Sequence, residues 1–159
     1  MRYAFLYILT VVLVNFAFDK VPLLHLPGGE AWPPVSLIVG FVFVIRDYAQ
    51  REIGHWVLPA MLVGGIASWL MATPAIALAS ICAFMTGELL DWAVYTFTRK
   101  PFSQRILLSS VLSTPVDSAV FLYMVDIFSI PGVLIMTMSK MVGACIVYYL
   151  ARQREYSAA

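Results

Sequence analysis

Long apolar runs, separated by short polar or proline-containing connections, extend along almost the whole chain. A membrane-spanning helix needs about 20 mostly apolar residues, and shorter runs cross where the bilayer thins or flanking side chains reach the interface. The pattern predicts six transmembrane helices, at residues 3–18, 34–51, 56–71, 74–97, 106–125 and 131–150. We therefore expect an all-α, polytopic membrane protein with a single transmembrane domain over residues 1–159.

The first apolar run has the length and flanking charge of a secretory signal as well as of a helix. It is followed by Asp19 and Lys20 without a clear small-residue cleavage site, and the rest of the chain is as apolar as its start. These features favour a retained first helix. Prolines open the second, fourth and sixth segments, where a missing N–H costs least, whereas Pro115 lies inside the fifth segment and is expected to kink it.

The positions of the basic residues predict how the helices are oriented. With the N-terminus in the cytoplasm, eight of the ten Lys and Arg residues fall on or near the inner side of the membrane. These eight are Arg2, Arg46, Arg51, Arg99, Lys100, Arg105, Arg152 and Arg154. The reversed orientation would break the positive-inside rule at each connection. We therefore predict that both termini are cytoplasmic, in the inner membrane of the cell.

Composition agrees with a lipid environment. Hydrophobic residues make up 62% of the chain and charged residues 12%, with a mean hydropathy of +0.88. This number of charged residues is too small to cover a water-facing exterior. The surrounding solvent must therefore itself be apolar. The net charge of +1 leaves no basic surface for a nucleic-acid partner. Cys82 and Cys145 both lie in apolar runs, where a buried free thiol is the ordinary expectation.

Glu88 and Asp91 lie three residues apart in the fourth segment, so a helix places both carboxylates on one face. An ionisable side chain at the membrane centre costs about 2.5 to 3.5 kcal/mol on insertion scales, so such groups usually face a cavity or a partner. One interpretation is an acidic face that binds a ligand inside the bundle. The other is that the pair neutralises a basic neighbour.

Further polar residues fall inside the first, fifth and sixth segments. Ser110, Ser113 and Asp117 follow the spacing of a single helical face. Hydroxyls alone would indicate helix packing, but a carboxylate midway along a span favours a polar cavity. Lys140 is a candidate counter-ion for Glu88, Asp91 or Asp117, a role that does not exclude a part in a binding site. Asn15 is equally compatible with an interhelical hydrogen bond and with a ligand contact.

The second segment carries Arg46, Asp47 and Gln50 before its end. Too few apolar residues precede Arg46 for the helix to have crossed the membrane, so the helix must continue and carry Arg46 and Asp47 into the inner part of the bilayer. A basic stop at the membrane boundary would explain Arg51 but not Asp47. We expect these side chains to belong to the polar interior.

The sequence offers no pattern for a bound metal, an organic cofactor or catalysis. His25 and His55 lie apart, and no group of His, Cys and carboxylate residues has the spacing of metal ligands. A phosphate-binding glycine loop and a CxxC pair are also missing from the sequence. We therefore expect no cofactor, no metal and no enzymatic activity.

Three motifs together resemble a known family. They are RDYAQREIG at residues 46–54, ELLDWAVY at residues 88–95 and SSVLSTPVDSAVF at residues 109–121. In this order and spacing they are similar to the VUT family, also called YhhQ-type queuosine precursor transporters. The resemblance covers nearly the whole chain and implies uptake of 7-cyano-7-deazaguanine or a related deazapurine.

The chemistry of such a base suggests which residues would bind it. A guanine-like edge presents N–H donors that one carboxylate accepts in a bidentate manner, and its acceptors need amide, ammonium or hydroxyl donors. Phe84, Tyr95 and Phe121 are candidates for stacking on the ring. The candidate substrate-binding residues are Asn15, Arg46, Asp47, Gln50, Glu88, Asp91, Ser110, Ser113, Asp117 and Lys140.

Two other functions are kept beside the transporter hypothesis. One is a substrate-capturing membrane subunit of a multisubunit vitamin or nucleobase importer, which would need an energising partner. The other is an intramembrane enzyme, although only isolated carboxylates and hydroxyls are present. The expected partners are a deazapurine and the lipid bilayer, and the sequence leaves open both homo-oligomerisation and coupling to protons or sodium.

Overall fold

The computed structural model describes residues 1–27, 29–71 and 74–157. Within them the chain forms six α-helices, which are α1 (Arg2–Lys20), α2 (Ser36–Ile53), α3 (Val57–Met71), α4 (Pro74–Phe97), α5 (Phe102–Met124) and α6 (Ile130–Ser157). A 3-10 turn, Gly54–Trp56, joins α2 to α3. Residues 28, 72, 73, 158 and 159 of the predicted domain lie outside the described part, as does the side chain of Arg154.

The helices follow the predicted apolar runs, and local causes explain where their ends differ. α5 begins before the predicted residue 106, directly after Pro101, which is extended and therefore ends the preceding connection. Its first turn is completed by Glu155 near the end of α6, which accepts hydrogen bonds from the Ser103 backbone N–H (3.1 Å) and hydroxyl (2.6 Å). The same contact explains why α6 continues past the predicted residue 150. α5 also continues through Pro115.

The connection between α1 and α2 contains a small antiparallel ladder that an all-α prediction misses. Strand β1 (Leu24–His25) pairs with strand β2 (Ala31–Trp32), with Leu24 opposite Trp32. The hairpin is held against α6, because Trp32 Nε1 donates a hydrogen bond to Ser139 Oγ at 2.9 Å. The hairpin therefore covers one end of the helical bundle.

Five stretches of the described chain are long and apolar enough to cross a membrane, and α2 and α3 fall together in one of them, Ser36–Leu70. Contacts with α1 show that the chain reverses within this stretch. Glu52 accepts hydrogen bonds from backbone N–H groups in the first turn of α1, whereas Gly64 of α3 packs against Val11 in the middle of α1. The turn uses Gly54 at a φ of 61°, which favours glycine. It remains a prediction that the chain crosses the membrane six times and that both termini are cytoplasmic.

Polarity is arranged in the opposite way to that of a water-soluble domain. Large apolar side chains such as Leu70, Phe97 and Met138 are more than 70% exposed on the outside of the bundle. Many of the most buried side chains are polar or charged, among them Arg46 and Lys140 at 1%. α5 is the most buried of the long helices and packs against both α4 and α6. The apolar exterior therefore suits contact with lipid, and the polar and charged side chains lie inside the bundle.

Candidate functional site

Arg46 of α2 lies at the centre of a buried group of carboxylates. Its Nε is 3.2 Å from Glu88 Oε2, its Nη1 is 2.8 Å from Asp47 Oδ1, and its Nη2 forms an ion pair with Asp91. Nη1 also donates a hydrogen bond to Gln50 Oε1 at 2.6 Å. We call Arg46, Asp47, Glu88 and Asp91 the arginine cluster. It joins α2 to α4 through charge-assisted contacts.

The arginine cluster holds more acid than base. One guanidinium faces three carboxylates, and each of the four side chains is at most 1% exposed. Buried charges are tolerated when they are paired, and a surplus calls for protons or for additional donors. Tyr7 of α1 supplies one donor, since its hydroxyl donates to Glu88 Oε2 at 2.9 Å. Within the described residues, Glu88 Oε1 has no hydrogen-bond partner.

A second buried ion pair joins α5 to α6. Lys140 Nζ pairs with the Asp117 carboxylate and lies 3.1 Å from Ser118 Oγ. Gly87 lets α4 approach this pair closely, because a Cβ at that position would lie 2.6 Å from Asp117 Cβ. Asp117 is therefore the counter-ion of Lys140. Likewise, Arg46 is the basic neighbour that Glu88 and Asp91 neutralise.

Asn15 of α1 forms an interhelical contact rather than standing alone. The Ser80 hydroxyl of α4 donates to the Asn15 side-chain oxygen, and the Asn15 amide donates to the backbone oxygen of Val11 at 2.9 Å. Both polar side chains are less than 10% exposed. The contact places an amide and a hydroxyl in one cavity wall with Glu88, Asp117 and Lys140.

A small cavity lies between α1, α2, α4, α5 and α6, and we call it the central cavity. Its polar wall consists of Asn15, Ser80, Glu88, Asp117 and Lys140, and its aromatic wall of Phe18, Phe43, Phe84 and Phe121. The cavity volume is about 30 Å³. A water needs roughly 10 to 15 Å³ of such volume, so this conformation has room for about two waters and not for a bicyclic base.

The structure brings together some of the predicted site residues and separates others. Four of them line the central cavity, namely Asn15, Glu88, Asp117 and Lys140. Arg46, Asp47, Gln50 and Asp91 instead form the buried network behind Glu88. Ser110 and Ser113 are fully buried in α5 but are not part of the cavity wall.

The aromatic predictions divide in the same way. Phe84 and Phe121 line the central cavity, whereas the Tyr95 ring lies 6.0 Å from the Arg46 guanidinium carbon. Tyr7 and Ser80 were not among the predicted site residues, although Ser80 lies near the helical stripe of Glu88 and Asp91. Tyr7 lies on the face of α1 that also carries Val11 and Asn15, at the helical spacing of four, which was the available signal.

Metal binding has no support within the described residues, where no group of three or more His, Cys, Asp or Glu side chains is arranged to hold an ion. The groups on the cavity wall can recognise a ligand. Glu88 Oε1 is an unsatisfied acceptor, Asn15 and Ser80 are polar, and phenyl rings surround them. A ligand with N–H donors on a flat ring would match this surface.

Helices long and apolar enough to cross a membrane, arranged around a charged interior and a polar cavity, indicate a multi-pass membrane protein. The family model described as "Putative vitamin uptake transporter" matches residues 3–153, and the chain belongs to this family. The match confirms the resemblance to the VUT family drawn from the three motifs. No curated protein and no solved structure matches the chain.

Proposed function

We propose that the protein takes up a queuosine precursor, 7-cyano-7-deazaguanine or a related deazapurine, across the inner membrane. The observation that carries the proposal is Glu88, a fully buried carboxylate in the cavity wall whose Oε1 has no partner in the described structure. A buried acceptor left unpaired costs about 1 to 3 kcal/mol, so a ligand N–H that reaches it gains that free energy.

The geometry changes how Glu88 would bind such a base. Its Oε2 already accepts hydrogen bonds from Arg46 Nε and from the Tyr7 hydroxyl. We therefore propose a single N–H contact to Oε1 in place of the bidentate contact suggested by the sequence. Arg46 and Tyr7 fix the carboxylate, and Phe84 and Phe121 supply apolar faces for the ring.

The small volume of the central cavity makes a conformational step part of the proposal. A cavity of about 30 Å³ cannot hold a deazapurine, so the helices must move apart to admit the base. A contracted cavity agrees with a transporter that alternates between open and closed states around a central site. The proposed site residues then bind the substrate in an expanded form of the same cavity.

The proposal is tested in a bacterial host that cannot make the precursor but can insert it into tRNA. Expression of this chain alone, with 7-cyano-7-deazaguanine in the medium, should restore queuosine in tRNA. Glu88→Gln should lower uptake at least about tenfold at equal membrane abundance, because a lost contact worth 1.4 kcal/mol is tenfold in affinity. Queuosine is measured by mass spectrometry of digested tRNA.

Asp126→Asn is the matched control. Asp126 is exposed in the α5–α6 connection at a φ of 57°, a conformation that asparagine also tolerates. This carboxylate-to-amide change should leave uptake unchanged. If the inserted parent chain restores no queuosine, either alone or with an ATP-hydrolysing partner, the substrate assignment fails. Restoration only after an ATP-hydrolysing partner is supplied would favour the capture subunit, and product formed by purified protein would favour the enzyme.

A further inference from the structure

A second cavity opens where α1 ends, and we call it the vestibule. Its wall is formed by residues 18–23, at and just after the end of α1, by Phe121 of α5 and by Val125, which directly follows α5. The vestibule volume is about 420 Å³, within the roughly 300 to 1,000 Å³ that is typical of small-molecule sites. Lys20 on its wall has a side chain that is 61% exposed. The vestibule therefore meets water at the end of the bundle.

The vestibule and the central cavity share two wall residues, Phe18 and Phe121. Their ring centroids are 5.3 Å apart at an interplanar angle of 43°. That separation is within the range for favourable aromatic contact. One ring belongs to α1 and the other to α5, and both rings lie in the walls of both cavities.

We propose that the vestibule is the access site for the substrate and that Phe18 and Phe121 form the gate between it and the central cavity. The volumes on the two sides of the gate differ by more than tenfold, about 420 and 30 Å³. A ligand that fits the vestibule reaches Glu88 only after the two rings separate. Separation of the rings would join the cavities into one space.

Movement of α1 relative to α5 is the motion that the gate requires. α1 is the least buried of the candidate spans, so its displacement disrupts the least packing. The Phe18 and Phe121 rings are in contact, and an aromatic contact of this kind is worth about 0.5 to 1.5 kcal/mol beyond its buried area. Substrate binding energy is large enough to overcome such a barrier. Separation of the two rings leaves the ion pairs in the interior intact.

The gate is tested by thiol accessibility, which requires no deazapurine and so does not depend on the proposed substrate. Cys82 and Cys145 are first replaced by alanine, and Ser80→Cys then places a thiol in the wall of the central cavity. A membrane-impermeant methanethiosulfonate bearing a trimethylammonium group is applied separately to each side of sealed vesicles. The labelling rate of the new thiol is the readout.

Phe18→Ala with Phe121→Ala should raise the labelling rate from the vestibule side at least about tenfold. The open state of the gate, populated at about 10% or less in the parent protein, becomes the resting state in this variant. Phe16→Ala is the matched control. Phe16 lies on the same helix, is 43% exposed and lines neither cavity. It should leave the rate unchanged.

An unchanged rate in the inserted double alanine variant would overturn the gate, as would an equal increase in Phe16→Ala. If the double alanine variant does not fold, Phe18→Leu with Phe121→Leu is measured in its place. Leucine keeps much of the apolar packing and removes the ring contact, so the rate should still rise. Increased labelling from the opposite side alone would also contradict the proposal.

Discussion

Arg46 connects the sequence motif at residues 46–54 with the acidic motif of α4. Its guanidinium contacts Asp47 on its own helix and Glu88 and Asp91 on the neighbouring helix. A planar, permanently charged group with five donors suits this position, since it serves several carboxylates at once. The residue therefore fixes the orientation of Glu88, on which the proposed substrate contact depends.

Arg46→Met should destabilise the protein by about 3 to 5 kcal/mol, because it leaves buried carboxylates without their cation. The measurement is unfolding of the purified protein in detergent, followed by the loss of helical circular dichroism. Arg99→Met is the control, since Arg99 is exposed in the α4–α5 connection. Equal stability of the two variants would show that Arg46 does not balance the carboxylates.

At the level of helices, glycines set how closely α2 and α6 approach. A Cβ on Gly40 would lie 1.9 Å from the backbone oxygen of Lys140, and a Cβ on Gly143 would lie 2.9 Å from the backbone carbon of Gly40. Small residues at such crossings let helix backbones touch in a membrane. The crossing also positions Lys140 beside Asp117 at the central cavity.

Gly40→Ala should destabilise the protein by about 1 to 3 kcal/mol or more and lower uptake. The new Cβ would clash with backbone atoms of α6, which cannot move aside as a flexible side chain does. Gly65→Ala is a control with the same chemistry, since the nearest atom to its new Cβ is Met85 Sδ at 4.0 Å. The control should be neutral or slightly stabilising, because alanine is the better helix former. Thermal unfolding compares the two variants, and similar losses would contradict the crossing argument.

Across the whole molecule, one end of the bundle gathers most of the basic residues. Contacts bring together the start of α1, the end of α2 and the start of α5, since the Tyr48 ring lies 5.1 Å from that of Tyr3 and 4.9 Å from that of Phe102. Arg51 also lies over the Phe102 ring, at 4.7 Å. The opposite end carries the vestibule and the hairpin.

The positive-inside rule predicts that the basic end faces the cytoplasm. Single cysteines are placed at exposed positions of the two ends, by Arg99→Cys and by Asp126→Cys, in the variant without native cysteines. An impermeant maleimide added to intact spheroplasts should label the cysteine at position 126 and spare that at position 99 until the membrane is permeabilised. The reverse pattern would overturn both the orientation and the outward-facing vestibule.

The sequence by itself determined the class of protein and the places of its helices. Apolar run length and the charge shortage act locally, so residues such as Glu88 and Asp117 were recognisable as buried groups from the sequence alone. The three motifs also identified the family. Helix ends were less accurate, because α5 and α6 stabilise one another through Ser103 and Glu155.

Only the tertiary structure decided which buried groups meet. Helical periodicity gives the face of each residue but not the neighbouring helix or its height, so the pairing of Lys140 with Asp117 and of Arg46 with Glu88 could not be derived from spacing. Phe18 carried no signal, since phenylalanine is ordinary in a membrane helix, and Phe121 was predicted only as a stacking residue. Their meaning arises because the fold brings the two rings into contact in the walls of both cavities.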